Sequence, residues 1–439
     1  MLRENSTGRE KSNQNMFVIC MSLCIIPHPT KEYAGKMRKR VFQSIRKQPK
    51  KIIYLTADHS GFAKHFFHSW KSKKMKWMDK TTDHLSEHSF YWVEEELKKK
   101  YPKLPIHVFT LGTKWLEKKD QILNYLEKQY RRGSLIIGTS DLTHYGKKFN
   151  YTPWSDPVQA GKQKEEETLI AALIEPNSNI VQSELARNPH LACGPRVLEC
   201  VVFLAERLGL YGTVVDYYDS MQGYEIKSNV TEFVSYVGIK YGKKKQNKIN
   251  KLDQDLALAA IRNAIVFPNR IPLPKWTYWY KMRSGVFVGT KKGGKTNCSR
   301  GEYENGKSTA ESIVGAARSC VKDAEERWHI PYGTMDDVTY KIEVLESKSK
   351  WRTRKARKIN IHKNSPFGVY LTFNQKSATY LPGVWKEALG DVQTPEEMLD
   401  HLAGKASGVS INKAWRDDET ATVQLYKSKK FKTRKKSHT

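Results

Sequence analysis

Cysteine is sparse and unpatterned in this chain. Cys20, Cys24, Cys193, Cys200, Cys298 and Cys320 form neither paired C-x-x-C spacings nor a dense disulfide framework, which excludes a small secreted disulfide scaffold and leads us to expect free thiols in a reducing compartment. Long apolar runs are also lacking. The segment Met16–Pro27, MFVICMSLCIIP, is too short to span a bilayer and has no small-residue cleavage pattern, so it reads as a buried strand with no membrane role. Cys20 and Cys24 then fill core, with a redox or metal role left open. Acidic residues are few: 46 Asp and Glu stand against 76 Lys and Arg, a formal net charge of +30. Such a surface attracts nucleic acid and acidic partners, or merely keeps a protein soluble. The lysines are spread over helices and loops rather than gathered beside aromatic stacking residues, and no nucleic-acid motif is recognisable, which favours the solvated surface.

What is present suffices for folded domains. At 439 residues the chain exceeds one compact core and suits two, and 39% hydrophobic with 11% aromatic content fills both. We expect a loose N-terminus over 1–15, a first domain over 16–242, a basic linker over 243–251 (Lys243–Lys251, KKKQNKINK), a second domain over 252–427 and a basic tail over 428–439. In the first domain, strands at Phe17–Ile26, Lys51–Leu55, Ile106–Leu111 and around Leu135 alternate with helices, the rhythm of a doubly wound α/β sheet. In the second, helices and strands mix without strict alternation, which suggests α+β. The tail reads as a solvated extension with nuclear targeting or nucleic-acid contact as the other option.

Chemistry gathers where strands end. SLIIGTSDLTHYG, Ser134–Gly146, is a buried run that stops at small residues and then presents Asp141 and His144. The first strand ends at Pro27-His28-Pro29 and the second at Asp58-His59-Ser60. NPHLACG, Asn188–Gly194, puts Cys193 at the start of a long apolar helix, a position expected to lower a thiol pKa. α/β sheets place ligands at the C-terminal ends of strands. Two imidazoles and a thiolate make an open three-ligand site suited to iron, copper or zinc, provided the strand order brings those ends together.

The first domain resembles the MEMO family, whose fold is that of class III extradiol dioxygenases: a mixed sheet with flanking helices. The residues carrying this resemblance are Ile25–His28 (IIPH), the strand-then-histidine Lys51–His59, Glu87-His88-Ser89, Ser140–Gly146 (SDLTHYG), Ala192–Gly194 (ACG) and Val234–Gly238 (VSYVG). The resemblance implies metal positions at His28, His59 and Cys193, neighbouring acid and imidazole positions at Asp141 and His144, and a further candidate in His88. Pro29-Thr30 replaces the family's usual Ala-Gly after the first histidine, and Asp58-His59-Ser60 replaces a Pro-Ser-His pattern, which reshapes the pocket without removing a ligand. The second domain resembles the AMMECR domain through Gly285–Val288 (GVFV), Ser365–Leu371 (SPFGVYL) and Thr379–Trp385 (TYLPGVW). Its signature hexapeptide is degraded: Thr296-Asn297-Cys298-Ser299-Arg300 keeps only the cysteine, so Cys298 is a residual functional thiol or a relic. The co-occurrence of both families with a radical S-adenosylmethionine protein in prokaryotes implies a pathway partner of that kind.

Three readings follow for a cytoplasmic, or nuclear, two-domain chain. The first is a metal-dependent oxidoreductase with iron or copper, and zinc as the other metal, acting on oxygen or an aromatic substrate while His144 moves protons and Asp141 orients it. The second is a binding module for a peptide or phosphopeptide. The third is a basic nucleic-acid-associated protein, expected to show steep salt dependence.

Overall fold

A computed structural model describes residues 22–45, 48–59, 66–69, 88–154, 158–221, 230–266, 273–292, 295–303, 307–328 and 339–432. The loose N-terminus, the start of the first strand with Cys20, Ser60, the residues before His88 and the end of the basic tail fall outside them. The chain divides into two compact units, the first made of Met1–Thr152, Thr168–Gln222 and Thr231–Lys245, the second of Pro153–Glu167, Gly223–Val230 and Gln246–Thr439. Residues 153–167 thus group with the second unit rather than the first. Within that unit Lys275 holds Glu167 through its N–H (2.6 Å) and its ammonium (3.3 Å).

The first unit contains β1 (Ser22–Ile26), α1 (Lys31–Ser44), β2 (Ile52–Ala57), β3 (Phe66–Ser69), α2 (His88–Lys100), β4 (Ile106–Leu111), α3 (Lys119–Arg131), β5 (Leu135–Thr139), β6 (His144–Tyr145), the end of α4 (Val158–Ile174), α5 (Ser178–Arg187), α6 (Pro195–Leu208), β7 (Tyr211–Asp219) and β8 (Phe233–Gly242). Its strands form one mixed sheet in the order β3-β4-β2-β5-β1-β8-β6, with β7 also paired to β8. The centre, β4-β2-β5-β1, is parallel, and β3, β6, β7 and β8 join antiparallel. The doubly wound rhythm therefore describes the centre alone. β1, β2 and β5 are buried along their whole length, as continuous β-branched and leucine runs require when helices cover both faces. On one face Val41 and Phe42 of α1 and Phe90, Val93 and Leu97 of α2 pack on Cys24, Tyr54 and Ile137. On the other lies α6, whose apolar residues recur at helical spacing.

The second unit contains the start of α4, then α7 (Lys251–Val266), α8 (Tyr278–Lys281), β9 (Val286–Lys292), β10 (Lys295–Glu302), α9 (Thr309–Trp328), β11 (Thr339–Leu345), β12 (Arg352–Lys355), β13 (Gly368–Phe373), β14 (Lys376–Tyr380), α10 (Val384–Ala388), α11 (Pro395–Ser407), β15 (Thr422–Tyr426) and β16 (Ser428–Lys432). Two antiparallel sheets, β10-β9-β11-β16 and β12-β15-β13-β14, give an α+β architecture. Ala257, Ile261 and Ala316 of α7 and α9 cover the first sheet, while Met398, Leu399 and Leu402 of α11 cover the second. Thr394 and Glu397 form a reciprocal cap at the start of α11, which fixes where that helix begins.

Two expectations need correction here. Ser428–Lys432, assigned to a loose basic tail, is β16: Phe431 lies opposite Ile342 and is buried in the core of the first sheet, an anchor that outweighs the surrounding lysines. Of the cysteines, Cys24, Cys193 and Cys200 are free, whereas Cys320 on α9 is disulfide-bonded. Its helix packs against β10, an approach that residue spacing alone does not disclose.

Candidate metal centre

The strand order satisfies the condition set by the sequence. Ile26 of β1 lies opposite Thr139 of β5, and Leu55 of β2 lies opposite Gly138, so three neighbouring parallel strands end at one sheet edge. His28, His59 and Asp141 follow those ends directly. Ser140 N–H donates to Ile26 O at 3.1 Å and prolongs the pairing up to the site. α6 brings the fourth component. Gly138 leaves no room for a side chain, since an added Cβ would lie 2.5 Å from Val201 Cγ2, so α6 seats directly on β5. Gly194 does the same at the edge, where a Cβ would lie 2.9 Å from Thr139 O; Cys193 is thereby carried to the end of β5.

The donor atoms of His28, His59 and Cys193 all lie within 4.8 Å of one another. Cys193 Sγ is 3.6 Å from His28 Nε2, and the two imidazoles meet edge to face at 5.2 Å between centroids. A tetrahedral ion bonded to nitrogen and sulfur needs donor-to-donor edges of about 3.5 Å, so the three side chains fit one ion after a small closure. The other ring nitrogen of His28 is occupied. His28 Nδ1 hydrogen-bonds to Thr139 Oγ1 at 3.2 Å, which turns Nε2 toward Cys193 and supplies the outer support that ligating histidines use. His59 is exposed and Cys193 half-buried, which leaves the centre open on the His59 side.

Asp141 ties the centre together. Its Oδ1 accepts His28 N–H at 3.0 Å, its Oδ2 lies 3.6 Å from His28 Nε2, and its own N–H donates to Cys193 Sγ at 3.3 Å. Burial pushes the carboxyl up to about 6, against the pull of the His28 N–H, His144, His59 and Arg38. Burial also pushes the Cys193 thiol well above its ordinary value, with Asp141 acting in the same direction. The expectation of a thiol lowered by the helix N-terminus is therefore corrected: desolvation and a facing carboxylate outweigh the helix end. A cation among these donors would supply the positive charge that a thiolate there requires. Cys24 and Cys200 are fully buried core thiols, and burial holds Cys24 up at about 12.

His144, on β6, lies beside the donor group rather than in it. Its Nδ1 is 3.0 Å from Leu142 O, its ring packs edge-on against Phe149, and burial lowers its pKa while Asp141 opposes that shift. His88 opens α2 and Cys298 lies on β10 in the second unit; the side chains of both are outside the described residues. Sequence reasoning passed over Arg38. This side chain is fully buried on α1 and donates to both carbonyls that flank His28, Pro29 O at 2.6 Å and Pro27 O at 3.3 Å, while Glu96 of α2 grips it through both oxygens. A proline-bounded loop whose carbonyls face inward needs such a donor, a need that shows only once the loop is placed in space.

The Memo-like protein family matches residues 68–240, a span that contains Asp141, His144 and Cys193 and begins after His28 and His59. The AMMECR1 family matches residues 254–431. No curated protein matches the chain. Among solved structures, an uncharacterized protein from Pyrococcus horikoshii is similar at 18% identity and a TM-score of 0.34, over 42% of this chain and 94% of its own. An uncharacterized protein from Escherichia coli K12 is similar at 11% identity and a TM-score of 0.32, over 51% of this chain and 100% of its own. The chain is thus a Memo-like domain followed by an AMMECR1 domain.

Proposed function

We propose that the first unit holds a divalent or redox metal on His28, His59 and Cys193 and that the chain is a metal-dependent oxidoreductase of the Memo type. The observation that carries this reading is the convergence of those three donor sets within 4.8 Å at the ends of β1 and β2 and the start of α6. Two imidazoles and a soft thiolate suit iron, copper or zinc, and a three-ligand set leaves room for substrate. Iron or copper, when bound, supplies electron transfer and Lewis acidity.

The chain's own residues have separate tasks. Thr139 sets the orientation of the His28 ring, and Arg38 holds the loop that carries it. Asp141 keeps both His28 and Cys193 in register through its carboxylate and its N–H. With Nδ1 directed at Leu142 O, His144 has Nε2 as the atom that takes a proton from a substrate, and Asp141 stabilises the resulting imidazolium. The reading is tested by the metal content of tag-free protein, wild type against His59→Ala and Cys193→Ser. Stoichiometric iron or copper, lost in both variants, is the expected result. Absence of metal after anaerobic reconstitution rejects the proposal.

A further inference from the structure

Cys320 is disulfide-bonded, and nothing in the metal centre accounts for that bond. The chain has six cysteines, of which Cys24, Cys193 and Cys200 are free. Two partners remain for Cys320: Cys20, which lies outside the described residues, and Cys298 of β10.

Placement separates the two. On α9, Ala310, Ile313, Ala316 and Ala317 are buried against the first sheet of the second unit, and Cys320 follows on the same stripe one helical turn later. It is 3% exposed, and its sulfur lies 3.8 Å from Val288 O of β9. Val288 stands opposite Arg300 of β10, and two residues along, Thr290, also buried, stands opposite Cys298. Opposed residues of an antiparallel pair share a face, and that face recurs at every second residue. Glu302, at the same parity as Cys298, identifies the face: a Cβ built on Gly315 of α9 would lie 3.9 Å from its Oε1. Gly301, at the other parity, abuts the Phe287 ring, which packs on the opposite side of the sheet. The ladder shifts between Thr296 and Cys298, so Asn297 is the extra residue of a bulge and Cys298 takes the place opposite Thr290.

We propose that Cys298 and Cys320 form a reversible disulfide, a redox-controlled tie between β10 and α9. The oxidant is a small disulfide of the glutathione class. The Cys298 thiolate attacks one of its sulfurs, forming a mixed disulfide and releasing one glutathione thiolate. The Cys320 thiolate then attacks the Cys298 sulfur, which closes the intrachain bond and releases the second glutathione thiolate. Two protein thiols are oxidised, one S–S bond is exchanged for another, and the two protons lost by the protein pass to the departing glutathiones. Cys298 reacts first because β10 is the edge of its sheet, whereas buried Cys320 cannot meet a tripeptide. This role needs only the cysteine of the degraded hexapeptide, so the missing glycines do not bear on it.

The test is thiol trapping of the full chain with N-ethylmaleimide after equilibration in glutathione buffers, followed by peptide mapping without reduction. A linked peptide containing Cys298 and Cys320 is expected. Its ratio to the free dithiol should fall by at least about tenfold between a buffer poised like the endoplasmic reticulum and one poised like the cytosol. Reduction should also raise amide exchange across β10 and leave β13 and β15 unchanged. Cys320→Ala is expected to stop at one glutathione on Cys298, whereas Cys298→Ala should leave Cys320 without glutathione. A link from Cys320 to Cys20, quantitative alkylation of Cys320 in unreduced wild-type protein, or a Cys298–Cys320 link indifferent to the glutathione ratio would overturn the proposal; these readouts need no variant to fold.

Discussion

Thr139 and Arg38 hold the ring and the loop of His28, the proposed ligand, and the sequence pattern advertises neither contact. Replacing Thr139 with the isosteric valine removes the Oγ1 partner of His28 Nδ1 and is expected to lower metal affinity by about 10–100-fold in chelator competition, with little change in Tm. Arg38→Met should act on stability instead. It leaves the inward carbonyls of Pro27 and Pro29 without their donor and Glu96 without its partner, a loss of about 3–5 kcal/mol in urea unfolding. The two kinds of residue also differ in legibility. His28, His59, Asp141 and Cys193 could be named from sequence because each follows a strand end or precedes a helix, positions where acid, imidazole or thiol stands out from an apolar background. Arg38 could not, since it sits in a helix of lysines and arginines and its burial is dictated by a loop brought to it in space. The state of the Cys193 thiol was misjudged for a related reason: chain neighbours reveal the helix end, whereas the opposing carboxylate of Asp141 arrives from another strand.

At the scale of elements, the meeting of β5 with α6 sets the geometry of the centre. Gly138→Ala forces a methyl group against Val201 and Val197 and is expected to cost about 1–3 kcal/mol, measured as a lower urea midpoint with an unchanged m-value. Long, strongly apolar elements such as β2, β5 and α6 were readable, since each is buried on the face or faces its periodicity specifies. β12 and β16 were not. All four residues of β12 are exposed and carry no apolar alternation, and β16 announces itself through Phe431 alone. Such strands exist because a neighbour offers unpaired backbone groups, β15 to one and β11 to the other, and that supply is a tertiary fact.

For the whole molecule, the three candidate ligands all belong to the first unit, so under the proposed function a bound metal would stabilise that unit by mass action and leave the second without direct benefit. Chelation is therefore expected to raise amide exchange in β1, β2, β5 and α6 and to leave β13 and β15 unchanged; equal change in both sets would place the metal elsewhere. Among the described residues no helix is long and apolar enough to cross a membrane. The most direct test of the central claim is X-ray absorption at the metal edge of the loaded protein. The account predicts one sulfur near 2.3 Å with nitrogen neighbours near 2.0–2.1 Å, and loss of the sulfur shell in Cys193→Ser. A wild-type spectrum without sulfur, or a sulfur shell that survives Cys193→Ser, would contradict it.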